Sequence, residues 1–119
     1  MKNKVFYLST CSTCKNIMKA WPLESLALQD LKKESINAEE LDFLQGKVGS
    51  YEELLNKRAR LLGDHKLSSG AEREQEIRSL ILSHYSFLKR PILVLNNDIF
   101  VGNSSKIVEA AKQSLSKQD

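Results

Sequence analysis

Residues 5–14 read Val-Phe-Tyr-Leu-Ser-Thr-Cys-Ser-Thr-Cys, a short apolar run followed by two cysteines that are separated by two residues. The apolar part, with its valine and two aromatics, predicts a buried β-strand. After the cysteines, Ile17, Met18 and Trp21 recur at helical spacing, and Pro22 disfavours helix at the residue before it. The sequence therefore predicts a strand, a loop carrying the CxxC motif, and a helix that begins inside the motif.

The last third of the chain also predicts strands and a helix. Residues 92–95, Ile-Leu-Val-Leu, are the strongest strand signal, and the turn Asn96-Asn97-Asp98 joins them to a second apolar run, which together predict a β-hairpin. Ser104 or Ser105 then caps a final helix. Nearer the N-terminus, residues 26–31 fit a further strand by position, although their composition leaves helix open.

The segment between these two parts predicts helices. Asn37 is typical of an N-cap, and the helix it begins ends at Gly46 or Gly49. Ser50-Tyr51-Glu52-Glu53 is a capping box, which predicts a helix that continues to Leu62. A third amphipathic helix is predicted from Ala71. The order of elements indicates an α/β protein with a small mixed sheet and an inserted helical block, and we expect residues 1–119 to form a single domain.

Composition and charge exclude several classes of function. The 119 residues include 18 Lys and Arg against 15 Asp and Glu, and the net charge of +3 is too small to indicate a nucleic-acid surface. The sequence has no apolar run of membrane-spanning length, and its N-terminus lacks the core of a signal peptide. We therefore expect a cytoplasmic protein with no membrane and no direct nucleic-acid partner.

The cysteine pair indicates redox chemistry. A thiol reacts as its thiolate, and a helix N-terminus lowers the thiol pKa; Cys11 lies at such a position. Cys14 lies one helical turn further on, within reach of a bond formed at the first sulfur. Cys11 is therefore predicted to attack and Cys14 to resolve. We expect Lys4, Lys15 and Lys19 to favour the thiolate, because no acidic residue precedes Glu24.

The same residues have other interpretations. If the cysteines were only small buried apolar residues, their redox spacing after a strand and before a helix would be a coincidence. A zinc site needs about four ligands, which the two cysteines and the unpaired His65 and His84 do not supply. We therefore predict no metal. Pro91 at the start of a strand is compatible with a cis or a trans bond, and trans is commoner. Candidate oxyanion ligands are Arg58, Arg60 and Arg90, although arginines are more commonly exposed surface residues.

The sequence resembles the arsenate reductase C (ArsC)/Spx family of thioredoxin-like proteins, in particular its CxxC-containing, YffB/Spx-like branch. The motifs that carry the resemblance, in family order, are Val5-Phe6-Tyr7 before Cys11-Ser12-Thr13-Cys14-Lys15, Gly49 to Arg58 with its Leu-Leu-Asn-Lys-Arg end, Lys89-Arg90-Pro91-Ile92-Leu93, and Val101-Gly102. The resemblance implies a thioredoxin/glutaredoxin-like mixed four-stranded sheet with an inserted helical block.

The resemblance also implies roles for individual residues. In family members that reduce arsenate, Cys11 corresponds to the nucleophile, and Arg58 and Arg90 correspond to arginines that bind the oxyanion. Pro91 is expected to be cis and to face the cysteine loop. No bound cofactor is expected; an external thiol reductant, either thioredoxin or glutathione with glutaredoxin, would restore the thiols, and the protein is expected to be a monomer.

Two differences from the arsenate reductases are visible. Those enzymes carry a further arginine where this chain has Gly102-Asn103-Ser104-Ser105, and they commonly use a single cysteine, whereas Cys14 offers an internal resolving thiol. The CxxC form is similar to the Spx branch, whose members bind the C-terminal domain of the RNA polymerase alpha subunit. Gly49 matches a glycine of that contact.

Two functions are therefore predicted. The first is a thiol-disulfide oxidoreductase of the arsenate reductase type that acts on a small oxyanion or a disulfide, with a thiol carrier protein as partner. The second is a redox-sensing regulator that binds the polymerase alpha subunit. The chain stops soon after its last predicted helix, without the longer extension of those regulators, which favours the reductase.

Overall fold

The computed structural model describes residues 1–63 and 65–117. The described residues divide into two compact units. Residues 1–34 together with 90–117 form one unit, which we name the sheet unit, and Ser35–Lys89 form the other, which we name the inserted unit. None of the helices in the described ranges is long and apolar enough to cross a bilayer.

The sheet unit contains the β-sheet. Its strands are β1 (Lys4–Tyr7), β2 (Ala27–Asp30), β3 (Ile92–Leu95) and β4 (Asp98–Val101). Within the described residues they form a four-stranded sheet in the order β2-β1-β3-β4. The β1–β2 pair is parallel, whereas β1–β3 and β3–β4 are antiparallel. The prediction of an α/β fold with a mixed four-stranded sheet is confirmed, and β2 is the strand that composition alone left open.

Two helices complete the sheet unit, α1 (Ser12–Lys19) and α4 (Ser105–Ser116). The hydroxyl of Ser104 accepts the Ile107 N–H at 3.3 Å and caps α4 as predicted. Apolar side chains of both helices pack with strand residues in a buried core made of Val5, Met18, Trp21, Leu26, Leu93, Leu95, Ala111 and Leu115. Burial of this apolar area is the main term that holds α1, and with it the cysteine motif, against the sheet.

The parallel pairing of β1 and β2 decides where the cysteine loop lies. Tyr7 and Asp30 are partners in the register, so the carboxyl ends of the two strands meet at one edge of the sheet. The loop of residues 8–11 leaves β1 at this edge and leads directly into α1. The two cysteines and the end of β2 are thereby brought close together.

The inserted unit contains α2 (Ala38–Val48) and α3 (Arg73–Ser83), with single 3₁₀ turns at Glu52–Leu54, Arg60–Leu62 and Tyr85–Phe87. The Asn37 side chain accepts the Glu40 N–H at 2.7 Å, and the Glu40 carboxylate accepts the Asn37 N–H at 3.0 Å, so the predicted N-cap is a full capping box. Of the two glycines that were candidates for the end of this helix, Gly49 ends it, with φ of 104°.

The prediction of a helix from Ser50 to Leu62 was wrong. The Ser50 hydroxyl does accept the Glu53 N–H, but only a 3₁₀ turn follows. Leu55 is extended and forms a β-bridge with Leu88, and the Lys89 N–H donates to the carbonyl of Leu54 at 2.9 Å. The backbone N–H and C=O groups of this segment therefore bond to a distant segment and are not available for helical hydrogen bonds. The local sequence pattern contains no signal for such a pairing.

Candidate active site

Cys11 is the N-cap of α1, as the sequence predicted. Its backbone is extended, with φ of −98° and ψ of 108°, and its carbonyl accepts the Lys15 N–H at 3.2 Å, the first bond of the helix. The Cys11 N–H donates to the Leu8 carbonyl at 3.0 Å and closes a tight turn around Ser9 and Thr10. The first turn of α1 contains no acidic residue. The Cys11 thiol is therefore held at the positive end of a helix.

The environment of Cys11 favours its thiolate. Partial burial on its own would raise the pKa of Cys11, but the Cys14 N–H, the Cys14 thiol and the Arg90 guanidinium all stabilise the charged form, and the net effect lowers the pKa. A thiol with a lowered pKa reacts faster at neutral pH than an ordinary thiol, because the thiolate is the nucleophile and a larger fraction of the thiol is ionised.

Cys14 has the opposite character. It is fully buried, and burial together with the neighbouring Cys11 raises the pKa of its thiol to about 12. The Leu8 N–H and Arg90 oppose this rise without cancelling it. Both cysteines are reduced in the structure. The motif therefore pairs an ionisable, partly exposed thiol with a protonated, buried one.

Arg90 and Pro91 complete this part of the site. The Arg90–Pro91 peptide bond is cis, and the Pro91 carbonyl accepts the Gly102 N–H at 2.9 Å, at the far end of the hairpin. Arg90 is partly buried and acts on both thiols through its charge. Of the residues that the sequence proposed, Cys11, Cys14, Arg90 and Pro91 thus lie in the sheet unit.

Asp30 is a residue of the site that the sequence analysis missed. Its carboxylate accepts the Ser9 N–H at 3.0 Å and the Lys32 N–H at 3.1 Å, and the Ser9 hydroxyl also bonds to it. Burial would raise the pKa of Asp30, but these bonds and the charge of Lys33 lower it. The signal that could have identified it is the parallel pairing of β1 and β2, which brings the last residue of β2 beside the cysteine loop.

Lys4 is one of the cations that were expected to favour the Cys11 thiolate. Lys4 begins β1, whereas Cys11 follows the end of that strand, and the Lys4 ammonium donates to Gln29 Oε1 at 2.8 Å and lies over the Phe6 ring at 5.1 Å from its centroid. Arg90 is a cation that lowers the pKa of Cys11.

Arg58 and Gly49 belong to the inserted unit. Arg58 is exposed in a turn, and its N–H donates to Asn56 Oδ1 at 3.1 Å. Asn56 also donates from its side-chain amide to the Ser86 carbonyl at 3.1 Å, which fixes the turn to the following segment. Gly49 is exposed at the end of α2, where its positive φ is a conformation that residues with a Cβ adopt only with strain.

The structure offers no cluster of metal ligands in the part of the chain that it describes: nowhere in residues 1–63 and 65–117 do three His, Cys, Asp or Glu side chains come together as an ion would require.

Comparison with known proteins identifies both a family and a fold. The ArsC family model matches residues 6–111. A solved YffB protein is 23% identical, with a TM-score of 0.74 over 93% of this chain and 99% of its own. An arsenate reductase (ArsC)-related protein from Brucella melitensis is 26% identical, with a TM-score of 0.64 over 92% of this chain and 93% of its own.

A third solved structure, an arsenate reductase from Vibrio cholerae, is 19% identical, with a TM-score of 0.67 over 97% of this chain and 98% of its own. A search of curated protein sequences gives no match. The structural similarities confirm the thioredoxin-like α/β fold that was predicted from the sequence.

Proposed function

The chain belongs to the ArsC family, and from this membership and the geometry of the cysteine site we propose that it is a thiol-disulfide oxidoreductase of the arsenate reductase type. The observation that carries the proposal is the contrast between the two thiols: Cys11 at the N-terminus of α1 has a lowered pKa, and the buried Cys14 has a pKa of about 12. The family and its arsenate reductase neighbours support thiol oxidoreductase chemistry.

In the first step the Cys11 thiolate attacks the oxidised substrate. With a disulfide substrate, Cys11 Sγ bonds to one sulfur and the other sulfur leaves as a thiolate, which takes the electron pair of the broken bond. With arsenate, Cys11 Sγ bonds to arsenic and an arsenate oxygen leaves as water after it is protonated. The Cys14 N–H, the Cys14 thiol and Arg90 favour the ionised form of the attacking sulfur.

In the second step Cys14 resolves the intermediate. Its sulfur attacks Cys11 Sγ and forms the Cys11–Cys14 disulfide, and the Cys14 proton goes to the departing group or to water. A disulfide substrate leaves as its second thiol, and arsenate leaves as arsenite, in each case two electrons richer. A thiol carrier of the thioredoxin or glutaredoxin type, or glutathione, then reduces the disulfide by exchange.

Arg90 is the proposed ligand for an anionic substrate, because its charge already acts on both thiols. Arg58 enters the proposal through its family motif, and a guanidinium of this kind binds an oxyanion by paired hydrogen bonds. Where arsenate reductases carry a third arginine this chain has residues 102–105, and Ser104 there is the N-cap of α4. A disulfide substrate, which needs fewer cations than arsenate, is therefore the first to test.

Steady-state turnover tests the proposal. Reduced protein is assayed for NADPH consumption with coupled thioredoxin or glutaredoxin systems, using low-molecular-weight disulfides and arsenate in separate reactions. We expect turnover that disappears in Cys11→Ser. In Cys14→Ser we expect the reaction with a disulfide to stop at a mixed disulfide on Cys11, which intact-mass measurement detects.

The pair of serine variants also supplies the control, because the two substitutions are chemically identical and three residues apart. Absence of turnover with every substrate, in protein verified as reduced, would overturn the proposal. Equal loss of mixed-disulfide formation in both variants would overturn the division of roles between the thiols. Titration of reduced protein with arsenate, followed by NMR, then separates the substrates: shifts confined to Cys11, Arg58 and Arg90 would identify an oxyanion site.

The alternative function is a redox-sensing regulator that binds the C-terminal domain of the RNA polymerase alpha subunit. The observation in its favour is Gly49, which is exposed at the end of α2, with nothing within 4 Å of the position a Cβ would occupy. Titration of that domain with the reduced and the oxidised protein distinguishes the two functions. Binding in one redox state without turnover would favour the regulator, and absence of binding in both states would remove it.

A further inference from the structure

We propose that Asp30 is a positioning residue for the Cys11 nucleophile: its carboxylate fixes the turn that holds Cys11 at the N-terminus of α1. The inference deepens the proposed function, on which it rests for the importance of Cys11, and it concerns a residue outside the cysteine motif and the arginines. Asp30 touches neither thiol, so its effect has to pass through the backbone of the turn.

Asp30 is in the right place for this role. It is the last residue of β2, and the residue is largely buried, with 9% of its surface exposed. A buried carboxylate that is ionised must be compensated by hydrogen bonds, because its desolvation is otherwise unfavourable. The Ser9 N–H at 3.0 Å, the Lys32 N–H at 3.1 Å and the Ser9 hydroxyl supply that compensation.

The hydrogen bonds between Asp30 and Ser9 affect Cys11 through the backbone turn that both Ser9 and Cys11 belong to. Ser9 and Thr10 are the central residues of the turn that the Cys11 N–H closes on the Leu8 carbonyl at 3.0 Å. With Ser9 fixed to β2, the turn has a defined conformation, and Cys11 keeps the extended dihedral angles of an N-cap. Those angles keep its sulfur at the first turn of α1, where the Cys14 N–H is the group that lowers the Cys11 pKa most.

Two other roles for Asp30 make different predictions. If Asp30 acted only as a negative charge near the site, its removal would lower the pKa of Cys11, because a like charge would be gone. If Asp30 only stabilised the fold, its removal would lower the stability and leave the pKa of Cys11 unchanged. If it positions the turn, removal of the acceptor raises the pKa of Cys11.

The experiment measures the pKa of Cys11 from the pH dependence of its alkylation by iodoacetamide in three proteins: wild type, Asp30→Ala and Asp30→Asn. The asparagine keeps an oxygen acceptor at the same place without the charge. We expect the pKa to rise by about one unit in the alanine variant, which lowers the thiolate fraction at pH 7 by at most about tenfold. In the asparagine variant we expect a pKa equal to that of the wild type or lower.

The alkylation rate at pH 7 changes less than the thiolate fraction does. A thiolate of higher pKa is intrinsically more nucleophilic, with a Brønsted coefficient of about 0.4–0.5, so a tenfold loss of thiolate becomes a rate loss of about threefold. The pKa from the full pH profile is therefore the primary readout. Asp98→Ala is the matched control, because it removes an exposed aspartate from the same unit, and it should leave the profile unchanged.

Stability is measured on the same samples by urea unfolding, followed by the fluorescence of the single tryptophan, Trp21, which is buried in the core of the sheet unit. Should Asp30→Ala not fold, Asp30→Glu replaces it, since glutamate keeps the charge but displaces the acceptor, and the Cys11 pKa should again rise. A lowered pKa in both Asp30→Ala and Asp30→Asn, or an unchanged pKa in both, would overturn the inference.

The outcome is separable from that of the proposed function, because alkylation needs no substrate. Absence of turnover in the wild-type protein would overturn the proposed oxidoreductase function, and the Cys11 pKa values of the Asp30 variants would still test the positioning role. Turnover in the wild type together with an unchanged Cys11 pKa in Asp30→Ala would uphold the oxidoreductase and overturn the positioning role.

Discussion

Selective alkylation of the two cysteines tests the contrast on which the proposed function depends. At pH 7 a thiol of pKa about 12, such as Cys14, is ionised in about one molecule in 100,000. Cys11, with a pKa lowered from 9.0, is ionised in more than about one molecule in 100. The ratio of the thiolate fractions is therefore more than about a thousandfold in favour of Cys11.

The preference for Cys11 is reduced because a thiolate of higher pKa is intrinsically more nucleophilic. With a Brønsted coefficient of about 0.4–0.5, three pKa units make the Cys14 thiolate roughly 16 to 32 times more nucleophilic. The net preference for Cys11 is still about thirtyfold at pH 7, and the full burial of Cys14 adds to it by denying access. We therefore expect at least about thirtyfold faster alkylation at Cys11.

The assay uses less than one equivalent of iodoacetamide on the reduced protein, followed by tryptic digestion. Cleavage after Lys4 and Lys15 releases both cysteines in one peptide, so the label is assigned from fragment ions that break the chain between them. Protein unfolded in urea is the control, where the two thiols should react at similar rates. A ratio below about three in the folded protein, or initial labelling at Cys14, would refute the assignment of Cys11 as nucleophile.

Three further predictions concern the charges. Arg90→Gln should raise the pKa of Cys11, and Arg90→Lys should recover part of the difference; identical alkylation profiles in all three proteins would exclude Arg90 from the site. Arg90 and hydrogen bonds act on Cys11 at short range, so a change from about 0.05 to 0.5 M salt should move the Cys11 pKa by less than about 0.3 units. If exposed lysines lowered the pKa, salt would screen their charge and the pKa would rise by more than this. Hydrogen bonds from Arg78 and Arg73 hold the pKa values of Asp42 and Glu52 at about 2. The stability that these two ionised carboxylates add is present above about pH 5 and is lost as the pH falls toward about 2. The urea midpoint of the wild type should therefore decrease as the pH is lowered, and the midpoint of Glu52→Gln should decrease less steeply.

The sequence predicted the elements whose signals are local. The hairpin of β3 and β4 follows from two apolar runs around an asparagine turn, in which Asn96 has the positive φ of 58° that asparagine tolerates. The capping box at Asn37 and the start of α1 beside Cys11 are likewise decided within four residues of chain. Backbone hydrogen bonds in these elements have their partners close in sequence, which is why pattern alone identifies them.

Features that depend on distant partners escaped prediction. The extended conformation of Leu55 depends on Leu88, which lies 33 positions away, and nothing in its own segment indicates that pairing. Asp30 lies 21 positions from Ser9, and its role depends on the parallel register of β1 and β2. The part of Arg90 in lowering the Cys11 pKa is another such feature, because Arg90 lies 79 positions from Cys11.

The burial of Cys14 gives the proposed reaction an order. While Cys11 is a free thiolate, its charge and its hydrogen bond raise the pKa of Cys14, so the second thiol stays protonated and does not compete for substrate. Once Cys11 is bonded to substrate, that charge no longer exists, and this part of the rise is lost. Burial, the largest cause of the rise, remains, and Arg90 continues to lower the Cys14 pKa. The resolving thiol is therefore easiest to ionise only after the nucleophile has reacted. Two equally exposed thiols at the same CxxC spacing would lack this order, because either could attack first.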